Sequence, residues 1–188
     1  DQLWLGTFNS GITVLPKSER IVRTLQKHDD FAYSGLQSSI ALLEHDGLWV
    51  GYDGDGLVRY NTDAGKVTVS RIDPDVLPDV VTSLATFGEE LWVGSLSEGL
   101  FVLNGQGNLK RRFLASSGIA FGLNNSNIWS MEQTWGDSLW IGTLSGLQYW
   151  NGEEFISPFK VPWRVGRNIM DLEFTGSELW VGSEFTGL

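Results

Sequence analysis

Cysteine is missing from all 188 residues, so the protein has no disulfide framework, no thiolate metal ligand and no cysteine nucleophile. Histidine is scarce, and we expect His28 and His45 at opposite edges of the fold, too far apart to share a site. No apolar run reaches the roughly 18 residues of a membrane-spanning helix, so we expect no membrane contact by this segment. Basic residues number 13 against 23 acidic ones, and the net charge of −10 argues against a nucleic-acid partner.

Sequence motifs of common catalytic and cofactor sites are also missing. There is no Gly-x-Ser-x-Gly nucleophile elbow, no phosphate-binding glycine loop and no His-Glu-x-x-His zinc motif. Asp53-Gly54-Asp55-Gly56 begins like a calcium loop, but Leu57 breaks the ligand spacing, so we expect a plain turn there. The sequence therefore predicts no cofactor, no bound metal and no catalytic residue, and we expect that this segment is not an enzyme.

Tryptophan, in contrast, is abundant, and five of the nine residues belong to one repeated segment, Leu-Trp-Leu/Val/Ile-Gly. An irregular period in the low forties, carried by a short apolar strand, is typical of β-propellers in which one four-stranded blade is used repeatedly. We expect these tryptophans to occupy one position in successive blades and to pack in the core between sheets. The repeats are centred on Trp4, Trp49, Trp92, Trp140 and Trp180.

Each repeat has the pattern of four strands. A strand of small and apolar residues, for example Val81 to Phe87, is followed by a tight polar turn and the Leu-Trp strand. A third strand of alternating character and a more charged fourth strand complete the repeat. The chain is expected to start at a second strand and to stop before a third, which predicts 17 strands. We predict an all-β fold of antiparallel blades, with residues 1–188 forming one segment, about four and a half blades, of a larger propeller.

One edge of these blades is the better candidate for ligand binding. Loops from second to third strands, and from blade to blade, are expected at that edge, and the blade-to-blade loops are long and chemically varied. Trp163 lies beside Arg164 and Arg167, which would clamp a carboxylate, although anchoring of the loop is the alternative role. The predicted ligand-binding residues are Tyr33, Asp79, Asn125, Asn127, Trp163, Arg164 and Arg167.

Three carboxylates form a second candidate. Glu132 and Glu173 occupy the same position in the first strands of adjacent blades, and Asp171 precedes Glu173 by two residues. Because first strands line the central channel of a propeller, we expect these side chains there. They would meet a cation or a polar ligand, or form a wet channel wall without a specific ligand.

The repeats also match a known pattern of a short strand, an Asp-Gly turn, LWIGT and GGL. Residues 37–67 follow it almost throughout, and VTSLATFGEELWVGSLSEGLFVLN and IWSMEQTWGDSLWIGTLSGLQYWN follow it nearly as well. This pattern resembles the two-component regulator propeller repeat, and the resemblance covers essentially the whole chain. The family has no universal ligand signature, so the resemblance assigns no binding residue.

The resemblance implies an extracytoplasmic, periplasmic sensor region of a bacterial signalling protein. In that family long repeat arrays form propellers, typically of seven blades, followed by a β-sandwich, a membrane helix and a histidine kinase or diguanylate cyclase. The partners implied are the rest of the propeller, the downstream signalling domains and a small polar ligand or oligosaccharide; dimerisation of the full-length protein stays open. A propeller lyase or hydrolase and a protein interaction scaffold are the alternative functions, since lyases that open cyclic antibiotics have a similar Leu-Trp repeat.

Overall fold

Five antiparallel β-sheets, in chain order, make up the fold. The computed structural model describes residues 2–7, 11–16, 23–25, 36–43, 47–63, 66–116, 122–134, 138–158 and 168–184. Within these ranges there are 17 strands and no helix, and hence no helix that is long and apolar enough to cross a membrane. The predictions of an all-β fold and of the strand count are confirmed.

Each sheet is formed by strands that are consecutive in the sequence. Sheet 1 contains β1 (Gln2–Thr7), β2 (Gly11–Pro16) and β3 (Arg23–Leu25). Sheet 2 contains β4 (Leu36–Leu43), β5 (Gly47–Asp53), β6 (Gly56–Asp63) and β7 (Lys66–Arg71). Sheet 3 contains β8 (Val81–Phe87), β9 (Glu90–Ser95), β10 (Leu100–Leu103) and β11 (Leu109–Phe113). Sheet 4 contains β12 (Ile128–Gln133), β13 (Leu139–Thr143), β14 (Gly146–Trp150) and β15 (Phe155–Ile156), and sheet 5 contains β16 (Ile169–Phe174) and β17 (Leu179–Ser183).

The repeated tryptophan occupies one register position, as predicted. It lies on the second strand of every repeat, and in sheets 2 to 5 it pairs with one residue of the first strand. The pairs are Trp49 with Ala41, Trp92 with Ala85, Trp140 with Glu132 and Trp180 with Glu173. The residue opposite the tryptophan therefore changes from alanine to glutamate halfway along the array.

Consecutive sheets pack through their first two strands. β8 contacts β4 and β5, β12 contacts β8 and β9, and β16 contacts β12 and β13. We call the side of a sheet that faces the next sheet its front face, and the opposite side its back face. The apolar core fills the spaces between sheets: Trp49 and Leu57 of sheet 2 pack with Val93 of sheet 3, and Trp92 packs with Ile141 and Trp150 of sheet 4. Burial of these faces, rather than one central core, stabilises the array.

The glycine that ends each Leu-Trp segment allows this close packing. A Cβ atom on Gly94 would lie 2.8 Å from Cγ2 of Ile128, the first residue of the next first strand. The same atom on Gly142 would lie 2.7 Å from Cγ2 of Ile169. Glycine is therefore required on the front faces of sheets 3 and 4, because the hydroxyl of the paired serine, Ser83 or Ser130, and an isoleucine of the next sheet together occupy the space of its missing side chain.

A β-bulge interrupts the first strand of every sheet from 2 to 5, at Ser38, Thr82, Trp129 and Met170. An extra residue in one strand bends it and re-aims its side chain. The hydroxyl of Thr82 accordingly donates a hydrogen bond to the carbonyl of Ile128 in the next sheet. The bulge thus adds a polar contact beside the glycine–isoleucine packing.

The expectation that all repeat tryptophans are buried is wrong for Trp180. Trp49 and Trp92 are fully buried, and Trp140 is partly buried, with its Nε1 donating to Thr134 Oγ1 at 3.1 Å. Trp180 is 49% exposed, because no described residue lies over the front face of sheet 5. The side chain of Trp4 lies outside the described residues.

Candidate functional site

Hydrogen bonds join two kinds of loop at one edge of the array. The backbone N–H groups of Gly54 and Gly56, in a turn between second and third strands, donate to the carbonyl of Asp79 at 2.9 and 2.8 Å. The corresponding turn of sheet 3 donates from Gly99 to Ser126. In both cases the acceptor lies in the connection that leads into the next sheet. We call the edge of the array where these connections meet the turns between second and third strands the loop edge. The prediction that both kinds of loop lie at one edge is confirmed.

Asp79 is an accessible charged residue of the loop edge. Its carboxylate accepts a hydrogen bond from Arg71 Nη2 at 2.8 Å, and the Asp79 side chain is 70% exposed. An ion pair this open to water contributes little to stability, so both groups are available to a polar ligand at small cost. Asp79 lies on the loop edge, and its contact with a ligand stays a prediction.

Asn125 and Asn127 form a local polar cluster in the connection before sheet 4. Oδ1 of Asn125 accepts hydrogen bonds from the backbone N–H of Asn127 at 2.8 Å and from its side-chain Nδ2 at 2.9 Å. Nδ2 of Asn125 donates to Ser145 Oγ at 2.8 Å. These amides therefore stabilise the loop itself, as asparagine commonly does in turns. The other predicted ligand-binding residues, Tyr33, Trp163, Arg164 and Arg167, lie outside the described residues.

Gln148 anchors the same loop and was not predicted. Its side chain is only 3% exposed, in the third strand of sheet 4. Oε1 accepts a hydrogen bond from the backbone N–H of Asn124 at 2.8 Å, and Nε2 donates to the carbonyl of Gly122 at 3.2 Å. The signal in the sequence was a glutamine at a position where the neighbouring repeats have Val58 and Phe101. A buried amide requires partners, and the loop backbone provides them.

Exposed apolar side chains are concentrated at the loop edge. Leu96 and Leu144 follow the second strands of sheets 3 and 4 at the same repeat position, and each is 39% exposed. Val76 and Leu114, in the connections between sheets, are 47% and 53% exposed. At the opposite edge, within the described residues, one large apolar side chain is comparably exposed: Leu109, at the start of the fourth strand of sheet 3, is 37% exposed. The loop edge therefore combines apolar and charged groups, as recognition surfaces do.

Glu132 lies within electrostatic reach of Glu173 and Asp171 on the first strand of the next sheet. Burial raises the pKa of Glu132, and the negative charges of Glu173 and, more weakly, Asp171 raise it further, while a hydrogen bond from the backbone of Phe174 opposes the shift. Like charges on neighbouring strands thus disfavour full ionisation. The described residues include no group of three or more metal-ligating side chains that could hold a metal ion. The position of these three carboxylates in a channel stays a prediction.

No protein-family model matches the sequence, and no curated protein matches it either. Several solved structures share its fold. The extracellular domain of BT4673 from B. thetaiotaomicron, described as a one component system, has a TM-score of 0.73 and 22% identity, over 97% of this chain and 24% of that one. The extracellular domain of BT3049 from the same organism, described as a hybrid two component system, has a TM-score of 0.54 and 20% identity, over 96% and 24%.

A third similar structure has a different role. PorZ of Porphyromonas gingivalis, a bacterial surface component of the type-IX secretion system, has a TM-score of 0.69 and 16% identity, over 100% of this chain and 30% of that one. At these identities the likeness establishes the fold alone. The chain spans between 24% and 30% of the length of these three structures.

Proposed function

We propose that this chain is a β-propeller segment of an extracytoplasmic sensor in a bacterial two-component or cyclic-di-nucleotide signalling protein, and that it binds without catalysing a reaction. The observation that carries the proposal is the likeness in fold to the extracellular domains of two signalling proteins over nearly the whole chain. The surface protein PorZ is also similar, which supports a location outside the cytoplasm, in the periplasm or at the surface.

The propeller architecture is supported by the way the sheets follow one another. Each first strand is an edge strand that contacts the first strand of the next sheet, so the first strands are neighbours along the array. Sheets related by the same packing step turn about a common axis when the step is repeated. We place Glu132, Asp171 and Glu173 on the side of the array that faces this axis.

The loop edge is the proposed recognition surface, and a small polar molecule such as a glycan fragment is the proposed ligand. The exposed Arg71–Asp79 pair supports this assignment, because both groups can form charge-assisted hydrogen bonds to a ligand. Trp163, Arg164 and Arg167 would add an aromatic surface and two guanidinium groups at the same edge.

Binding of a protein partner is a second candidate, favoured by the exposed Leu96 and Leu144 at equivalent positions in adjacent sheets. Apolar side chains that are exposed in a row suit a protein surface better than a sugar. In that case the segment would act as an interaction scaffold.

Calorimetry with a panel of glycan fragments, run with turnover assays on the same samples, tests the first proposal. We expect binding without turnover, and weaker binding after Trp163→Ala with Arg164→Ala but not after Glu89→Ala at the opposite edge. Turnover that is lost on Glu132→Gln would instead support the lyase or hydrolase alternative. Peptides selected from a displayed library that lose binding on Leu96→Ser with Leu144→Ser would support the protein partner.

A further inference from the structure

Leu96 and Leu144 occupy one repeat position at the loop edge of adjacent sheets. Each is the second residue after the glycine that ends the Leu-Trp segment, and each side chain is 39% exposed. The backbone N–H of Leu96 donates to the carbonyl of Val80 at 3.4 Å, and that of Leu144 donates to the carbonyl of Asn127 at 3.2 Å. Sheets 3 and 4 both have a packed neighbour on either side, so the exposure of these leucines belongs to the loop edge itself.

The turn that presents Leu96 is held by side chains. The hydroxyl of Ser95 donates to the carbonyl of Gly99 at 2.8 Å and accepts a hydrogen bond from the backbone N–H of Glu98 at 2.8 Å. Nη2 of Arg112 donates to the carbonyl of Glu98 at 3.2 Å. A side chain on a turn that is already ordered costs less conformational entropy when a partner binds, which favours affinity.

Leu144 is presented in the same way. Thr143 occupies the position that is equivalent to Ser95, and its hydroxyl donates to the carbonyl of Gly146 at 2.8 Å. The carbonyl of Leu144 accepts a hydrogen bond from the backbone N–H of Asn168 at 3.2 Å, in the connection before sheet 5. Sheets 3 and 4 therefore display two leucines, each on an ordered turn, in one row along the loop edge.

Acidic residues flank this row. At the same repeat position sheet 2 has Asp53 and sheet 5 has Glu184, and the connection into sheet 3 adds Asp73 and Asp75; all four are exposed. Within the described part of the chain, none of Asp53, Asp73 and Asp75 forms an ion pair. The arginines at this edge of sheets 2 and 3 are each paired with another carboxylate. The surroundings of the two leucines thus carry an excess of negative charge.

We propose that Leu96 and Leu144 anchor an interface for an extended protein segment that carries two apolar side chains flanked by lysine or arginine. The inference rests on the second function proposed above, binding of a protein partner at the loop edge. The apolar side chains of the segment would pack on the two leucines, and its basic groups would lie beside Asp53, Asp73 and Asp75. Apolar contact supplies the buried centre of such an interface, and opposite charge at its rim favours this partner over others.

The spacing of the sheets constrains the segment. Packed sheets lie roughly 10 Å apart, so two residues at equivalent positions of adjacent sheets are expected about that far apart or slightly more. An extended chain rises about 3.3 Å per residue. The two apolar residues of the segment should therefore lie about three or four positions apart.

A second copy of this chain is a poor occupant of the same surface. The chain has a net charge of −10, and a two-fold interface would place the row of one copy against the row of the other. Asp53 and Glu184 would then face further acidic groups, and like charges across an interface oppose association. The surface therefore favours a segment of opposite charge.

Selection of peptides from a displayed random library on the folded 188-residue chain tests the proposal. We expect the enriched sequences to carry a net positive charge and two apolar residues about three or four positions apart. Leu96→Ser with Leu144→Ser should weaken the binding of a selected peptide by about ten-fold or more, because the central apolar anchors of an interface carry most of its affinity. Leu109→Ser is the matched control, since it changes a leucine of similar exposure at the opposite edge, and it should leave the affinity unchanged.

Charge variants test the basic character of the partner. Asp53→Asn with Asp75→Asn should weaken binding of the same peptide by about three-fold to ten-fold at low salt, and by less at high salt, because salt screens exposed charges. Asp53→Lys with Asp75→Lys should redirect the selection towards acidic peptides. Glu89→Gln, an exposed position at the opposite edge, should change neither result. Urea denaturation establishes that each variant keeps the stability of the unsubstituted chain.

The outcomes separate this inference from the function on which it rests. Selected peptides that depend on both leucines but are neutral or acidic would overturn the basic segment and leave the protein-partner function standing. A selection without enrichment, or peptides that bind the folded Leu96→Ser and Leu144→Ser double variant equally well, would overturn both. Glycan binding is measured separately and depends on Trp163 and Arg164, so its presence or absence decides neither of these results.

Discussion

Gly142 and Ile169 come from consecutive sheets and approach so closely that a methyl group on Gly142 would lie 2.7 Å from Cγ2 of Ile169. Carbon atoms in contact prefer about 3.5–4.0 Å, so the two strands would have to separate to accept a side chain there. The same Cβ atom would also collide with the hydroxyl of Ser130, which pairs with Gly142 in sheet 4, so glycine is needed both within sheet 4 and for its close packing on sheet 5.

We therefore expect Gly142→Ala to lower the free energy of unfolding by about 1–3 kcal/mol, as overpacking does in cores. Gly182→Ala is the matched control, since its Cβ atom would lie 3.4 Å from the nearest heavy atom, an ordinary contact. It should be neutral or slightly stabilising. Urea denaturation followed by circular dichroism measures both, and equal losses would contradict the packing argument.

Thr82→Val should weaken the contact between sheets 3 and 4. The substitution keeps the branched shape but removes the hydroxyl that donates to the Ile128 carbonyl. Loss of a partly buried hydrogen bond is expected to cost about 1 kcal/mol. Thr86→Val, on the same strand, is the control and should change stability by less than half as much. If the two variants unfold at the same urea concentration, the hydrogen bond does not contribute.

Gln148→Leu should loosen the loop before sheet 4 while sheet 4 itself stays folded. The amide of Asn124 loses its acceptor, and the carbonyl of Gly122 loses its donor. Hydrogen exchange at Asn124 is expected to accelerate by about ten-fold, with little change at Ile141 in the core. Unchanged exchange at Asn124 would show that the loop is held by other contacts.

Glu132→Gln should stabilise the protein at neutral pH. The folded state holds the pKa of Glu132 above its ordinary value of 4.5, so the folded protein binds the proton more tightly than the unfolded chain does. The contribution of Glu132 to the free energy of unfolding is therefore present at low pH, and it is lost as pH rises through the raised pKa of the folded state. Urea denaturation between about pH 4 and pH 8 should show a flatter profile for the variant.

Glu90→Gln should have the opposite pH dependence. Burial alone would raise the pKa of Glu90, but hydrogen bonds and charges from Lys110 and Arg111, at 2.5 and 2.7 Å, outweigh it and lower the pKa. The stabilisation by these ion pairs is present above the pKa that Glu90 has in the unfolded chain. It is lost as pH falls through the lower pKa that Glu90 has in the folded protein. We expect a loss below about 1 kcal/mol at neutral pH, because both partners are substantially exposed. If the variant and the unsubstituted protein still differ in free energy of unfolding in acid, the ion pairs are not the origin of the loss.

The strand order could be predicted because every repeat has the same local signals. A turn rich in glycine and aspartate, a Leu-Trp strand and an alternating strand recur in register, and local pattern was enough to count the strands. The equal positions of Glu132 and Glu173 on neighbouring first strands were predicted from the same register, and each of the two residues pairs with the tryptophan of its own sheet.

Other features depend on contacts between repeats, which the pattern within one repeat does not contain. The bulge at Thr82 is an irregularity in strand pairing that no particular residue type marks in the sequence. The equivalent positions in the other sheets hold Ser38, Trp129 and Met170. The hydrogen bonds within the Asn125–Asn127 pair could not be distinguished from free ligand-binding amides in the sequence. The exposure of Trp180 depends on what covers a sheet, and the residue has the same sequence context as its buried counterparts.

The packing of each sheet on the next also determines how the array would respond to mechanical load. Apolar contacts join neighbouring sheets, for example where Ile169 and Leu172 of sheet 5 pack against Leu147 of sheet 4. Because stability in such arrays is a sum of neighbouring contacts, extension should proceed in steps, each releasing one sheet. A force–extension trace should therefore show a series of peaks.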